Sequence, residues 1–247
     1  MKLNPILKLH PLTKLYFTLF VTISVIIIPS YIFAFTWFPI LLVIAIIAGV
    51  GKQYLDIVVK ALVFLLGIVF IMQLFFYPGD QVIGEWWIFE ITKEGLQYGL
   101  VLTSRVLAMG SAFILFFRIT EIRDFVKALE DLGMPPMGAY IVLSTLQIIP
   151  EMRRQANTIM EAQKTRGVET EGSLLIRAKA FIPILTPLIL SSIASTEERA
   201  ITLESRAFSA PTKKTSLHKL KNSSSDRTIP IVLLILMISL IVWRFFL

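Results

Sequence analysis

Residues 15–50 read LYFTLFVTISVIIIPSYIFAFTWFPILLVIAIIAGV, a run from Leu15 to Val50 without one charged side chain. A helix rises about 1.5 Å per residue and a bilayer's hydrocarbon core is about 30 Å thick, so roughly 20 apolar residues make one crossing. The run is too long for a single span and divides best near Pro29-Ser30 and Trp37, giving two short helices as a hairpin. Three further apolar runs predict spans at about Lys60–Tyr77, Leu96–Phe117 and Ile229–Phe246. The whole chain, 247 residues, is 55% hydrophobic and 17% charged. A soluble domain carries about a quarter charged residues. That composition excludes a soluble globular enzyme and a disordered chain. No polar stretch is long enough for a large extracytoplasmic domain. With no cysteine, disulfides, thiolate nucleophiles and Cys-ligated metals are excluded. Lys2, Lys8 and Lys14 precede the first apolar run as in a signal peptide. The run is longer than a signal's apolar region, more spans follow and no small-residue cleavage site is evident, so it reads as a retained first span.

Lys and Arg in short loops mark the cytoplasmic side. Lys2, Lys8 and Lys14 place the N-terminus inside, and Lys52 and Lys60 flank the next inside turn. The loop from Pro78 to Gly95 carries Asp80, Glu85, Glu90 and Glu94 against Lys93, with Trp86 and Trp87, and reads as an outside loop with interfacial aromatics. Residues 1–117 then hold four spans, residues 118–228 form a cytoplasmic block, and residues 229–247 close the chain with a fifth span.

The block Arg118–Thr228 contains 16 Lys/Arg and 12 Asp/Glu. Ile122, Phe125, Val126, Leu129 and Leu132 recur at helical spacing, and Gly133 followed by Pro135-Pro136 is a stop signal. A second helix is predicted from Pro136 to Thr165, with a bend at Pro150, and a third from about Ser173 to Ala207. The middle of the third, Phe181–Ile193, is apolar. It reads as a re-entrant or interfacial helix rather than a sixth span, being only about 13 residues long and interrupted by Pro183 and Pro187. The expected fold class is an all-α integral membrane protein with about five transmembrane helices and a cytoplasmic three-helix coupling module inserted before the last span.

No catalytic set is visible. His10 and His218 are the only histidines, so neither a metal pair nor a general-base triad can be assembled. No Asp or Glu lies deep in a span, which argues against a proton-coupled carrier. Gly49-Val50-Gly51-Lys52-Gln53 looks like a phosphate loop, but it lacks the first Gly and has Gln53 where a Mg²⁺-binding Ser or Thr belongs, so it reads as a span end. Arg105, about ten residues into the fourth span, is an intramembrane charge. It either bonds carbonyls of neighbouring helices or contacts a partner or path.

Two segments of the block match each other. Thr165-Arg166-Gly167 and Ser205-Arg206-Ala207 each close a long helix with an arginine between small residues, and the arginines are 40 positions apart. An arginine in a last helical turn suits the helix dipole, and Gly167 is an ordinary residue just past a helix. Small neighbours also let a partner surface approach the guanidinium, whose forked donors suit carboxylates and carbonyls. Two such tips on one module suggest docking into two equivalent pockets, such as those of a dimer.

On these residues the chain resembles the transmembrane T component of energy-coupling-factor (ECF) transporters, a family that includes the cobalt-transport Q proteins. That family carries a pair of Ala-Arg-Gly-like motifs at the ends of two cytoplasmic coupling helices. His10-Pro11-Leu12-Thr13-Lys14-Leu15 is similar to its Asp-Pro-Arg-Thr-Lys-Leu-type start, and Glu121–Pro135, ending Leu-Gly-Met-Pro, is similar to its first coupling helix. Arg105 stands where many members keep an arginine. Thr165, Ser205 and Ala207 depart from the motif but remain small. The resemblance implies two ABC-type ATPase subunits, each receiving one arginine tip. It also implies a small membrane-embedded substrate-binding S component moved by the coupling helices. The substrate would be a vitamin or metal ion, and the location a bacterial or archaeal cell membrane. The chain itself would be a non-catalytic coupler with no cofactor, no metal site and no nucleic-acid partner. The rival readings are a multispan permease that binds and carries substrate itself and, less well supported for want of catalytic groups, a membrane enzyme acting on lipid. In the coupler reading, Pro136–Ile149 and Phe181–Ile193 lie near the membrane surface, partly beneath the S component.

Overall fold

The computed structural model of the chain describes residues 6–7, 9–86, 89–169, 173–210, 220 and 223–246. It divides into two compact units, one formed by Met1–Ala128 with Lys219–Leu247, the other by Leu129–His218.

In the first unit, α1 (Pro11–Ile27) and α2 (Tyr31–Ile47) form the expected hairpin. The break falls at residues 28–30, where Pro29 cannot donate a helical bond. Trp37 does not mark a break. It sits in the middle of α2, with Phe17, Phe20 and Phe33 packed edge-to-face on it at centroid distances of 6.2, 6.0 and 6.2 Å. Phe17 and Phe20 come from α1, so their contacts join α1 to α2 where lipid cannot drive two apolar helices together, while Phe33 packs from within α2. α2 ends in a left-handed turn at Gly49 (φ +80°), with Val50 N–H donating to Ala45 O at 2.9 Å. The phosphate-loop lookalike is therefore an ordinary helix cap.

The next span starts earlier than the sequence suggested. α3 (Gly51–Val58) continues through a π-helical turn, Val59–Val63, into α4 (Phe64–Phe76). Lys60 is thus inside the helix, paired with Asp56 at 2.9 Å, and does not flank a turn. Among the described residues the unit also has an antiparallel strand pair, β1 (Val82–Trp86) and β2 (Phe89–Thr92), within what read as a plain loop. Thr92 then caps α5 (Lys93–Ile119), its Oγ1 accepting from Gly95 N–H at 3.1 Å. Gly95 and Gly99, four apart, let α4 approach. A Cβ at Gly95 would lie 3.0 Å from Gln73 O, and one at Gly99 would lie 3.3 Å from Gln73 Cβ. This is the small-residue contact that close packing in lipid requires. The buried centre comprises Val21, Leu41, Ala45, Tyr54, Val58, Ala112 and Leu115, with α6 (Ile122–Asp131) leaving from the end of α5.

α9 (Ser224–Phe246) packs on α1, and their starts are fastened together. Asp226 Oδ1 accepts from His10 N–H at 2.8 Å and from Thr13 Oγ1 at 3.1 Å, while its Oδ2 accepts from Ser223 N–H at 2.8 Å. A carboxylate in a first helical turn also suits that helix's dipole. Lys14, 6% exposed, donates to Leu7 O at 3.1 Å and to Ile119 O at 2.8 Å, the last carbonyl of α5. The starts of α1 and α9 and the end of α5 therefore lie at one end of this unit. Arg118 donating to Gln53 Oε1 adds the start of α3 to it.

The second unit pairs α7 (Pro136–Thr165) with α8 (Leu174–Ser205). Both ends of α7 match the sequence expectation. α8 also lies within two residues of the predicted Ser173–Ala207, but its 32 residues pass through Pro183 and Pro187 without the interruption the prolines suggested. Its part Ala178–Ser205 is long and apolar enough to cross a membrane, so shortness is no argument against a crossing. A proline inside a helix removes one N–H bond and crowds one carbonyl, which bends a helix more readily than it ends one when packing holds both halves.

Candidate functional site

Each arginine box forms the same structure. α7 ends with Arg166 as its C-cap and Gly167 at φ +86°. Gly167 N–H donates to Lys164 O at 3.0 Å and Val168 N–H to Gln163 O at 3.1 Å. α8 ends with Arg206 as its C-cap and Ala207 at φ +55°. Ala207 N–H donates to Glu204 O at 2.9 Å and Phe208 N–H to Leu203 O at 3.0 Å. These are two Schellman motifs in the same register. The preceding hydroxyls match as well. Thr165 Oγ1 donates to Ala162 O at 2.8 Å and Ser205 Oγ to Thr202 O at 2.9 Å. Each hydroxyl folds back onto its helix and leaves space beside the arginine. Both arginines are exposed, and among the described residues neither guanidinium has an acceptor.

The cap itself does not call for arginine. α6 ends with the same bonds, Gly133 N–H to Glu130 O at 3.0 Å and Met134 N–H to Leu129 O at 3.1 Å, around Leu132. Ala207 holds a left-handed conformation that costs a residue with a Cβ about 1–2 kcal/mol. Replacing Ala207 with Gly should steady the last turn of α8 by about 1 kcal/mol. Hydrogen exchange of the amides of residues 207 and 208 should slow by about fivefold. An unchanged or faster exchange would show that the turn is not strained.

The two tips stand far apart on their unit. Tyr140, near the start of α7, packs on Phe208 just past α8, with ring centroids 5.0 Å apart. At the other end Gln163 Nε2 donates to Pro183 O at 3.2 Å. The helices run antiparallel, which puts Arg206 beside the start of α7 and Arg166 at its end. Twenty-six residues separate Tyr140 from Arg166, a distance of up to about 39 Å along the helix.

Arg105 belongs to the first unit, and its Nη2 approaches Ile26 O at 3.5 Å. That carbonyl lies in the last turn of α1, where carbonyls lack helical donors and a cation suits the dipole. The Nε of the same side chain is buried and has no hydrogen-bond partner among the described residues. Sequence reasoning missed the Asp226 clasp, the Lys14 bridge and the Gln163 bond, because each joins residues far apart in the chain.

A family model described as Cobalt transport protein matches residues 2–217. Curated relatives carry the name Energy-coupling factor transporter transmembrane protein EcfT, among them proteins from three organisms. The one from Staphylococcus aureus (strain 04-02981) is 29% identical over 92% of this chain and 88% of its own length. The one from Thermosediminibacter oceani is 27% identical over 89% of this chain and 86% of its own. The one from Heliobacterium modesticaldum is 26% identical over 98% of this chain and 94% of its own.

Proposed function

The chain belongs to the CbiQ cobalt transport protein family and is a multi-pass membrane T component of an ECF transporter, and from this premise we propose that it transmits movement of two ATPase subunits to a substrate-binding S component. The observation that carries the reading is the pair of matching arginine caps at opposite ends of α7 and α8. Thr165, Arg166 and Gly167 dock on one ATPase subunit, and Ser205, Arg206 and Ala207 dock on the other. The spacing suits two separate subunits better than one pocket. ATP-driven approach of the subunits moves α7 and α8, and these tilt the S component, which selects a vitamin or metal ion. The chain has no catalytic role, since hydrolysis occurs in the ATPases. Exposed apolar side chains such as Ile141, Ile149, Phe181, Ile182 and Ile189 support a place for Pro136–Ile149 and Phe181–Ile193 against membrane or S component. Purification through a tag on this chain should bring two ATPase subunits and one further small membrane protein. Substrate bound by this chain alone would favour the permease instead.

Residues 118–228 form the coupling module and lie, like the N-terminus, in the cytoplasm. The clasp between the starts of α1 and α9, with the Lys14 bridge from α1 to the end of α5, supports a same-side entry and exit for this module. A crossing by α8 alone would deliver α9 to the opposite side. α7 carries Glu151, Arg153, Arg154 and Glu161 and is a poor span, so a paired crossing is disfavoured. Glu169→Cys and Thr202→Cys should therefore be labelled from the same, cytoplasmic side, and Gln81→Cys from outside. Labelling of Thr202→Cys from outside alone would make α8 a span and overturn this topology.

A further inference from the structure

The nitrogen of Pro187 carries no hydrogen, so the carbonyl four residues earlier, that of Pro183, has no donor within α8. That carbonyl is satisfied from the other helix, by Gln163 Nε2 at 3.2 Å. Gln163 has a second task in its main chain. Its own carbonyl accepts from Val168 N–H at 3.1 Å, one of the two bonds of the cap around Arg166. One residue thus shapes the turn that presents Arg166 and grips α8 at its proline pair. We propose that Gln163 is a positioning residue that tethers the Arg166 tip to the Pro183–Pro187 segment, so that a bend of α8 there and a displacement of the tip are one motion.

The chemistry fixes what each substitution does. A carboxylate at residue 163 keeps the shape but loses the donor, and meets a carbonyl it repels. Alanine removes the side chain altogether. Pro187→Ala returns an N–H to α8, which can then satisfy the Pro183 carbonyl internally and make the tether dispensable. The functional consequence rests on the coupler reading, whereas the tether is a matter of geometry alone.

The test uses the full chain with Glu161→Cys and Thr202→Cys as the only cysteines, spin-labelled, and the distance distribution between the labels. Gln163→Glu and Gln163→Ala should each widen that distribution about twofold, as a lost restraint between two helices releases their relative motion. In a Pro187→Ala background the same substitutions should add nothing. This suppression separates a tether from general loosening, which would add equally in both backgrounds. In the assembled transporter Gln163→Glu should lower substrate moved per ATP hydrolysed while both ATPase subunits still co-purify. An unchanged distance distribution in Gln163→Glu overturns the tether. Equal widening with and without Pro187 overturns it too, and widening with unaltered coupling overturns its positioning role. If the unmodified chain binds no ATPase subunit, the coupler reading falls while the distance comparison still decides the tether.

Discussion

A chain carrying both Arg166→Ala and Arg206→Ala is expected to insert normally and yet fail to hold its ATPase subunits. Removing one partner of a buried, charge-assisted contact costs about 2–5 kcal/mol. At about 1.4 kcal/mol per factor of ten, each tip is worth roughly 30-fold to a few thousandfold in affinity. The single substitutions should therefore weaken assembly or uncouple hydrolysis from uptake, and the pair should abolish both. Arg→Lys should rescue only in part, because an ammonium cannot reproduce the forked donor geometry. Arg153→Ala and Arg199→Ala, exposed on the same two helices but away from the tips, should change little. If the arginines only completed a helix end, the loss would be about 0.3–1 kcal/mol of local stability, with transport intact. Normal co-purification and transport by the double variant would move the permease reading ahead.

Lys14→Met should produce the largest loss of stability of any single change considered. The side chain is nearly buried and satisfies two carbonyls, one of them the unpaired end of α5. Hydrogen bonds from a charged donor contribute about 1.5–3 kcal/mol each, and Met offsets part of the loss by removing a buried charge. A net loss of about 2–4 kcal/mol is expected. Thermal or denaturant unfolding of the purified chain reads it directly. A Lys14→Met variant as stable as the parent would show that the bridge contributes nothing. Because Lys14 lies in a different unit from the arginines, its variant should lose yield and stability before it loses coupling in the molecules that remain folded.

What could be read from the chain was whatever is local. Pro136 sets φ for a first turn and Gly167 accepts a left-handed turn, so α7 was legible at both ends. The Gly133 stop and the two arginine boxes were legible for the same reason. Trp37 was misjudged because an amphipathic ring suits a membrane interface as well as a helix junction, and only the surrounding Phe17, Phe20 and Phe33 decide its place. Pro183 and Pro187 were misjudged because a proline's effect depends on what receives the freed carbonyl. Gln163, twenty residues away, supplies that donor for Pro183, and no spacing rule points to it. The β1–β2 pair escaped because Gly84 and Glu85 dilute the alternation that would mark a strand. Arg105 shows the converse case. Its sequence position announces an unusual charge, while its partner, the end of α1, emerges only when α5 is laid against that helix.

The fastening of α1 to α9 also sets a timetable. His10 and Asp226 are 216 positions apart, and a ribosome adds about 5–20 residues per second. The first helix is thus in the membrane for roughly 10–40 s before its last neighbour exists. In the first half of that interval α2 is the helix available to α1, and the Lys14 bridge to Ile119 becomes possible only once α5 has been made. The coupling module is synthesised inside the same window, before the clasp can close. A nascent chain that loses its final helix would keep its arginine tips but leave His10 N–H and Thr13 without their acceptor, an open seam by which a membrane protease could tell the unfinished subunit from the complete one.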